Sequence, residues 1–131
     1  SVFNAAFEPA RTEFDWLSRD EAEVDLYMAD PYCGFGLDGP ATAALVEAAP
    51  RLGDQDAIDE VRDGLPIYLA SGRDDPLAFG GAFVDMVADR YRHAGADVTV
   101  VLYDGARHEV FNETDRDMVT ADLLAWLDAL V

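Results

Sequence analysis

The sequence predicts an α/β fold with a parallel sheet, and three observations carry that prediction. Ile67–Ala70 is apolar on consecutive residues rather than alternate ones, and Val98–Tyr103 is β-branched and again mostly apolar. That is the pattern of strands covered on both faces by helices. Between them, Phe79, Phe83, Val87 and Tyr91 recur at the spacing of an amphipathic helix running from Phe79 to Ala94. Gly95 is its natural stop. Strand, helix and strand make a βαβ unit, and ligands of open parallel sheets bind beyond the carboxyl ends of the strands.

The elements before this unit are predicted to be helical. Residues 1–17 hold Phe3, Phe7, Phe14 and Trp16 with no regular period, and Pro9 interrupts them. Such a segment must cover apolar surface elsewhere or line a greasy pocket. Ser18-Arg19-Asp20-Glu21 reads as a capping box with Ser18 as N-cap, opening a helix from about Arg19 to Ala29. Val24, Tyr27 and Met28 form its apolar side, and Asp30-Pro31 ends it. Gly34-Phe35-Gly36-Leu37-Asp38-Gly39 has the spacing of a dinucleotide loop but follows a helix instead of a strand. It reads as a loop into the next helix, Ala41 to about Ala49, with Pro40 at the first helical position and a break near Pro50. A short helical stretch with Ile58 and Val61 follows. After the second strand, Thr114–Asp117 opens a last helix striped by Val119, Leu123, Trp126, Leu127 and Leu130. The division expected is a helical, cap-like segment over 1–53 and a sheet-bearing portion over 54–131. Two parallel strands leave faces and edges unsatisfied, so the sequence implies partner strands that it does not contain.

Composition narrows the function classes. At 131 residues the chain has the length of about one domain, and half of it is hydrophobic, which argues against disorder. The net charge is −18 and all nine basic residues are arginines. An acidic surface repels phosphate backbones, so no nucleic-acid partner is expected. The acidity reads as codon bias, with salt adaptation as the alternative. No apolar run reaches the roughly 18 residues of a membrane span. Cys33 stands alone, which fits a reducing compartment, and a cytoplasmic protein is expected. Two histidines and one cysteine suggest no metal site, and no cofactor is expected.

The chemistry sits after the two strands. Asp75 follows the first strand and its Ser-Gly turn, and could orient a histidine by accepting its Nδ1–H. A helix N-cap is the plainer role for Asp75. Asp74 is the rival acid. His108 follows the second strand in a loop, where an imidazole suits general acid–base work. Glu109 and Glu113 read as solvated charge, with a steadying role for the loop as the alternative, and His93 complements a helix C-terminus. Acid, helix, strand, then histidine is the tail of the order Ser…Asp…His.

With those residues in view, the chain resembles the C-terminal half of a serine α/β-hydrolase of the monoacylglycerol lipase/lysophospholipase-like group. The resemblance rests on FEPARTEFDWLSRDEAEVDLYMADPYCGF (7–35), LPIYLASGRDDPLAFGGAF (65–83) and YDGARHEVFNETDRDMVTADLLAWL (103–127). It implies two parallel strands with flanking helices, preceded by a cap above the active site. It also implies Asp75 as triad acid, His108 as triad base, and a small ester as substrate. The group's G-x-S-x-G elbow and oxyanion loop are absent, and Ser1, Ser18 and Ser71 lie in no such motif. The partner implied is therefore the N-terminal half of the fold, in the same or a separate chain. The alternatives are a noncatalytic domain that holds a partner through its open sheet edge, or half of a split enzyme. An Asp-nucleophile dehalogenase or epoxide hydrolase fits the cap strings less well.

Overall fold

The structure is a computed structural model that describes Val2–Val131, with only the backbone of Arg51 and Leu52, so Ser1 lies outside the described residues. Among the described residues the sheet has two strands, β1 (Pro66–Gly72) and β2 (Asp97–Tyr103), paired in parallel. The register runs from Pro66 opposite Asp97 to Gly72 opposite Tyr103, so the two carboxyl ends are level. The helices are α1 (Glu21–Ala29), α2 (Gly39–Leu52), α3 (Gln55–Ile58), α4 (Ala82–His93) and α5 (Arg116–Asp128). Short 3-10 helices cover Val2–Phe7, Phe79–Gly81 and Val110–Asn112. No helix among the described residues is long and apolar enough to cross a membrane.

Several boundaries differ from the sequence-based expectation, each for a local reason. Helix α1 is capped by Asp20, whose side chain accepts the Ala22 amide, and not by Ser18. The Ser18 hydroxyl is committed elsewhere, donating to the Asn112 carbonyl at 2.8 Å. Helix α4 begins at Ala82 instead of Phe79, because Phe79, Gly80 and Gly81 have φ of 50°, 68° and 98°. That left-handed run interrupts helical hydrogen bonding. A side-chain carbon on Gly81 would also strike Leu102. Helix α2 starts at Gly39, two residues earlier than expected, with the Asp38 carboxylate accepting the Ala41 amide, and carries Pro50 inside its last turn. Gly95 ends α4 at φ 91°, as its position predicted.

The buried centre is small. Tyr103, Ala106, Val110 and Val119 form it, with Ala70 and Val101 packed alongside. The phenol of Tyr103 meets Tyr68 at 3.2 Å and donates to Asp122 at 3.1 Å, tying β1, β2 and α5 together. Desolvation, then the Tyr68 hydroxyl and the Asp122 carboxylate, raise the Tyr103 pKa and keep it a proton donor. The strands, expected to be fully buried, are half-buried over most of their length. Phe79, Phe83 and Met86 are exposed, as are Leu127 and Leu130 at the end of the α5 stripe. Two strands and their helices do not supply enough surface to cover one another.

Ion pairs clasp α1 to the start of α5. Arg116 reaches Asp20 at 2.8 Å and Glu23 at 3.3 Å, and Arg19 reaches Asp115 at 2.8 Å. Arg116 holds the Asp20 carboxyl below its ordinary 3.8, and Arg19 does the same for Asp115. Both groups are more acidic folded than unfolded. Their contribution is therefore complete above 3.8 and is lost as pH falls through the lower folded values. The expected urea midpoint is level between about pH 7 and about pH 5 and drops below about pH 4. An Arg116→Met variant, which frees Asp20 and leaves the Arg19–Glu113 pair intact, should drop less steeply. Parallel curves for the two proteins would contradict the account.

Candidate active site

The level strand ends are what bring the acid and the histidine together. Beyond β1 the chain keeps pairing with the turn beyond β2: the Arg73 amide donates to the Tyr103 carbonyl and the Asp74 amide to the Ala106 carbonyl, each at 2.9 Å. This zips the acid turn to the histidine loop. Gly72 makes the approach possible, because a side-chain carbon there would run into the carbonyls of Ala106 and Arg107. The Ser-Gly pair was visible in the sequence, but the steric reason for its glycine lies in a segment over thirty residues away.

Asp75 and His108, the two residues singled out from the sequence, face each other. The Asp75 Oδ2 lies 3.0 Å from the His108 Nδ1. Its Oδ1 accepts the Leu77 amide at 2.8 Å, so both oxygens are engaged and the carboxylate orientation is set. Asp75 is 8% exposed, whereas the neighbouring Asp74 is on the surface. Asp75 does not cap α4, whose N-cap is Gly81. With Asp75 accepting from Nδ1, the imidazole is held in the tautomer that leaves Nε2 to exchange a proton.

The segment before α1 forms a strap against the histidine. The Trp16 ring lies 4.9 Å from the His108 ring, centroid to centroid, and Phe3 backs Trp16 at 5.0 Å. The Glu109 amide donates to the Leu17 carbonyl at 2.8 Å. Asn4, 3% exposed, receives the Trp16 amide at 2.9 Å and reaches the Thr12 carbonyl at 2.6 Å. The Arg107 guanidinium donates to the carbonyls of Asp15 and Ser18 and lies 4.1 Å over the Phe7 ring. The aromatic segment thus divides. Trp16, backed by Phe3, packs against the histidine and Phe14 packs on Tyr27 of α1 at 5.1 Å, while Tyr32 and Phe35 remain exposed.

Glu113, read from the sequence as solvated charge, is 0% exposed. A polar loop residue flanked by Asn112 and Thr114 gives no sequence signal of burial. Ser18 and Ser71 are buried with their hydroxyls committed to the Asn112 and Gly72 carbonyls. His93 lies at the C-terminal end of α4, exposed and far along the chain from the pair. Gly34-x-Gly36 leads from α1 into α2 with no strand before it, so it lacks the setting a dinucleotide loop needs.

An acid after one parallel strand, hydrogen-bonded to a histidine after the next, defines the acid–histidine part of an α/β-hydrolase. The sequence profile of the family described as serine aminopeptidase, S33, matches residues 2–115, and the chain belongs to that α/β-hydrolase family. The monoacylglycerol lipase of Mycolicibacterium smegmatis (strain ATCC 700084 / mc(2)155) is 31% identical over 116 residues, covering 86% of this chain and 38% of the lipase. Among solved structures, a highly thermostable carboxyl esterase from Bacillus coagulans in complex with glycerol superposes with a TM-score of 0.81. It is 26% identical, over 97% of this chain and 42% of the esterase. A lipase in its open form gives a TM-score of 0.70 at 32% identity, over 87% of this chain and 37% of the lipase. The chain therefore spans about two-fifths of the length of these relatives.

Gly72→Ala tests the zipped turns. The added methyl meets backbone that cannot step aside, and the expected cost is about 1–3 kcal/mol. Gly36→Ala, where nothing lies within reach, serves as the comparison. Equal denaturation midpoints for the two variants would rule out the close approach.

Proposed function

We propose that residues 1–131 are the acid–histidine and cap portion of a serine carboxylic-ester hydrolase acting on a small acyl ester, of the monoacylglycerol or lysophospholipid kind. The observation that carries the reading is the Asp75–His108 contact of 3.0 Å at the level ends of two parallel strands. The relatives named as monoacylglycerol lipase and carboxyl esterase support the ester class. The aromatic strap against His108 supports an apolar acyl group. In this reading residues 1–53 are cap-like, and residues 54–131 belong to the core.

The nucleophile comes from the part of the fold outside residues 1–131, in the same or a separate chain. Its serine attacks the ester carbonyl while the His108 Nε2 takes the hydroxyl proton. The imidazolium then returns that proton to the departing alcohol, and a water repeats the sequence to release the acid. Asp75 keeps the ring in the correct tautomer and stabilises its charged form. Ser18 and Ser71 are buried and already hydrogen-bonded, which weighs against either as the attacking group.

One observation favours a second reading. A groove of about 460 Å³ runs between β1 and α4, lined by Tyr68, Ala70, Phe83 and Val87 and reaching Asp75. Alongside it, Phe79 and Met86 stand exposed. A noncatalytic chain would hold a partner through such a surface.

Ester turnover by the intact protein, with its denatured mass measured in parallel, separates the two. The hydrolase reading expects cleavage of short-chain nitrophenyl esters and labelling of a serine by a fluorophosphonate. His108→Ala and Asp75→Asn should each lower kcat by about 10³- to 10⁴-fold. Absence of turnover and labelling in the folded protein, or an unchanged rate in either variant, would overturn it.

A further inference from the structure

We propose that Glu113 is a positioning residue for His108, acting from a buried carboxylate that never touches substrate. The inference rests on His108 being the catalytic base.

The Glu113 Oε1 accepts the Arg107 amide at 2.8 Å and the Arg19 amide at 3.1 Å. Its Oε2 accepts the Arg19 Nε at 2.8 Å and its neighbour's Thr114 amide at 3.1 Å. Among the described residues, four donors and no other acceptor converge on a side chain that is 0% exposed. Only a carboxylate, with acceptor sites on both oxygens and no hydrogen of its own, satisfies that set. A glutamine would turn an N–H group toward two donors.

Three of the four donors lead to the histidine. Arg107 directly precedes His108, so its amide fixes where the His108 peptide leaves the loop. Arg19 ends the strap whose Trp16 ring lies 4.9 Å from the imidazole. Glu113 therefore sets both the backbone that carries His108 and the aromatic ring beside it. The Asp75 contact is made from the opposite turn and shares no atom with Glu113. Loss of Glu113 leaves the acid in place while the histidine drifts from it. A misplacement of about 1 Å is enough to cost about a hundredfold in rate.

The test is steady-state ester hydrolysis by the intact enzyme, with active sites counted by fluorophosphonate titration run to completion. Glu113→Gln is expected to lower kcat per titrated site about 10- to 100-fold while KM stays within about threefold. A purely structural role would reduce the number of titratable sites and leave the turnover of each unchanged. That outcome, with His108→Ala inactive in the same assay, overturns the positioning role. Full activity in His108→Ala overturns the assignment of the base instead. If circular dichroism shows Glu113→Gln unfolded, Glu113→Asp, which keeps the charge on a shorter arm, is read the same way. Wild-type kcat per site in that variant equally overturns the proposal.

Discussion

Because Glu113 has no water around it, its charge has to be met by donors inside the protein, and these come from Arg19, Arg107 and Thr114. Removing one partner from a buried charged arrangement costs about 3–5 kcal/mol, a large share of the 5–15 kcal/mol that holds a typical domain folded. The strap before α1, the histidine loop and the start of α5 are therefore tied at a single point. The half-buried ion pairs of Arg116 with Asp20 and Glu23 join the same segments at a second point. Of the two points, the fully buried carboxylate is the one whose partners cannot be replaced by water.

The second half of the site is placed by strand register. Residue-for-residue pairing of β1 with β2 ends at Gly72 and Tyr103, and the two turns go on pairing past that point. A shift of one residue would reverse every side chain along a strand and separate Asp75 from His108. Gly72 is the steric condition for this alignment, just as Glu113 is the electrostatic condition for the loop. Asp75 and His108 are held from independent directions, which is how the fold keeps their hydrogen bond at 3.0 Å without either loop being regular structure.

The surface away from the site carries different information. Half-buried strands, an exposed face on α4, and Leu124 and Leu127 open on α5 are apolar groups of the kind that normally face neighbouring elements. Relatives of which this chain spans about two-fifths have further chain with which to cover the equivalent surface. The open strands and the share of the relatives' length both support the proposed reading, in which the nucleophile lies outside residues 1–131.

The sequence alone determined the βαβ unit, the stop at Gly95, and the choice of Asp75 and His108, because those features are written in local periodicity, turn chemistry and chain order. It misplaced the start of α4, where the left-handed run at Phe79–Gly81 is supported by Leu102 on β2. It misassigned the cap of α1, since Ser18 is held by Asn112 from the far end of the chain. It preferred a solvated charge for Glu113 over a role in steadying the loop, because burial is a property of what surrounds a side chain and not of the side chain itself. Only the tertiary structure decided which carboxylate went inside, which glycine had to be glycine, and which aromatic ring lay against the histidine. Each of those depends on segments distant in sequence being brought within a few ångströms of one another.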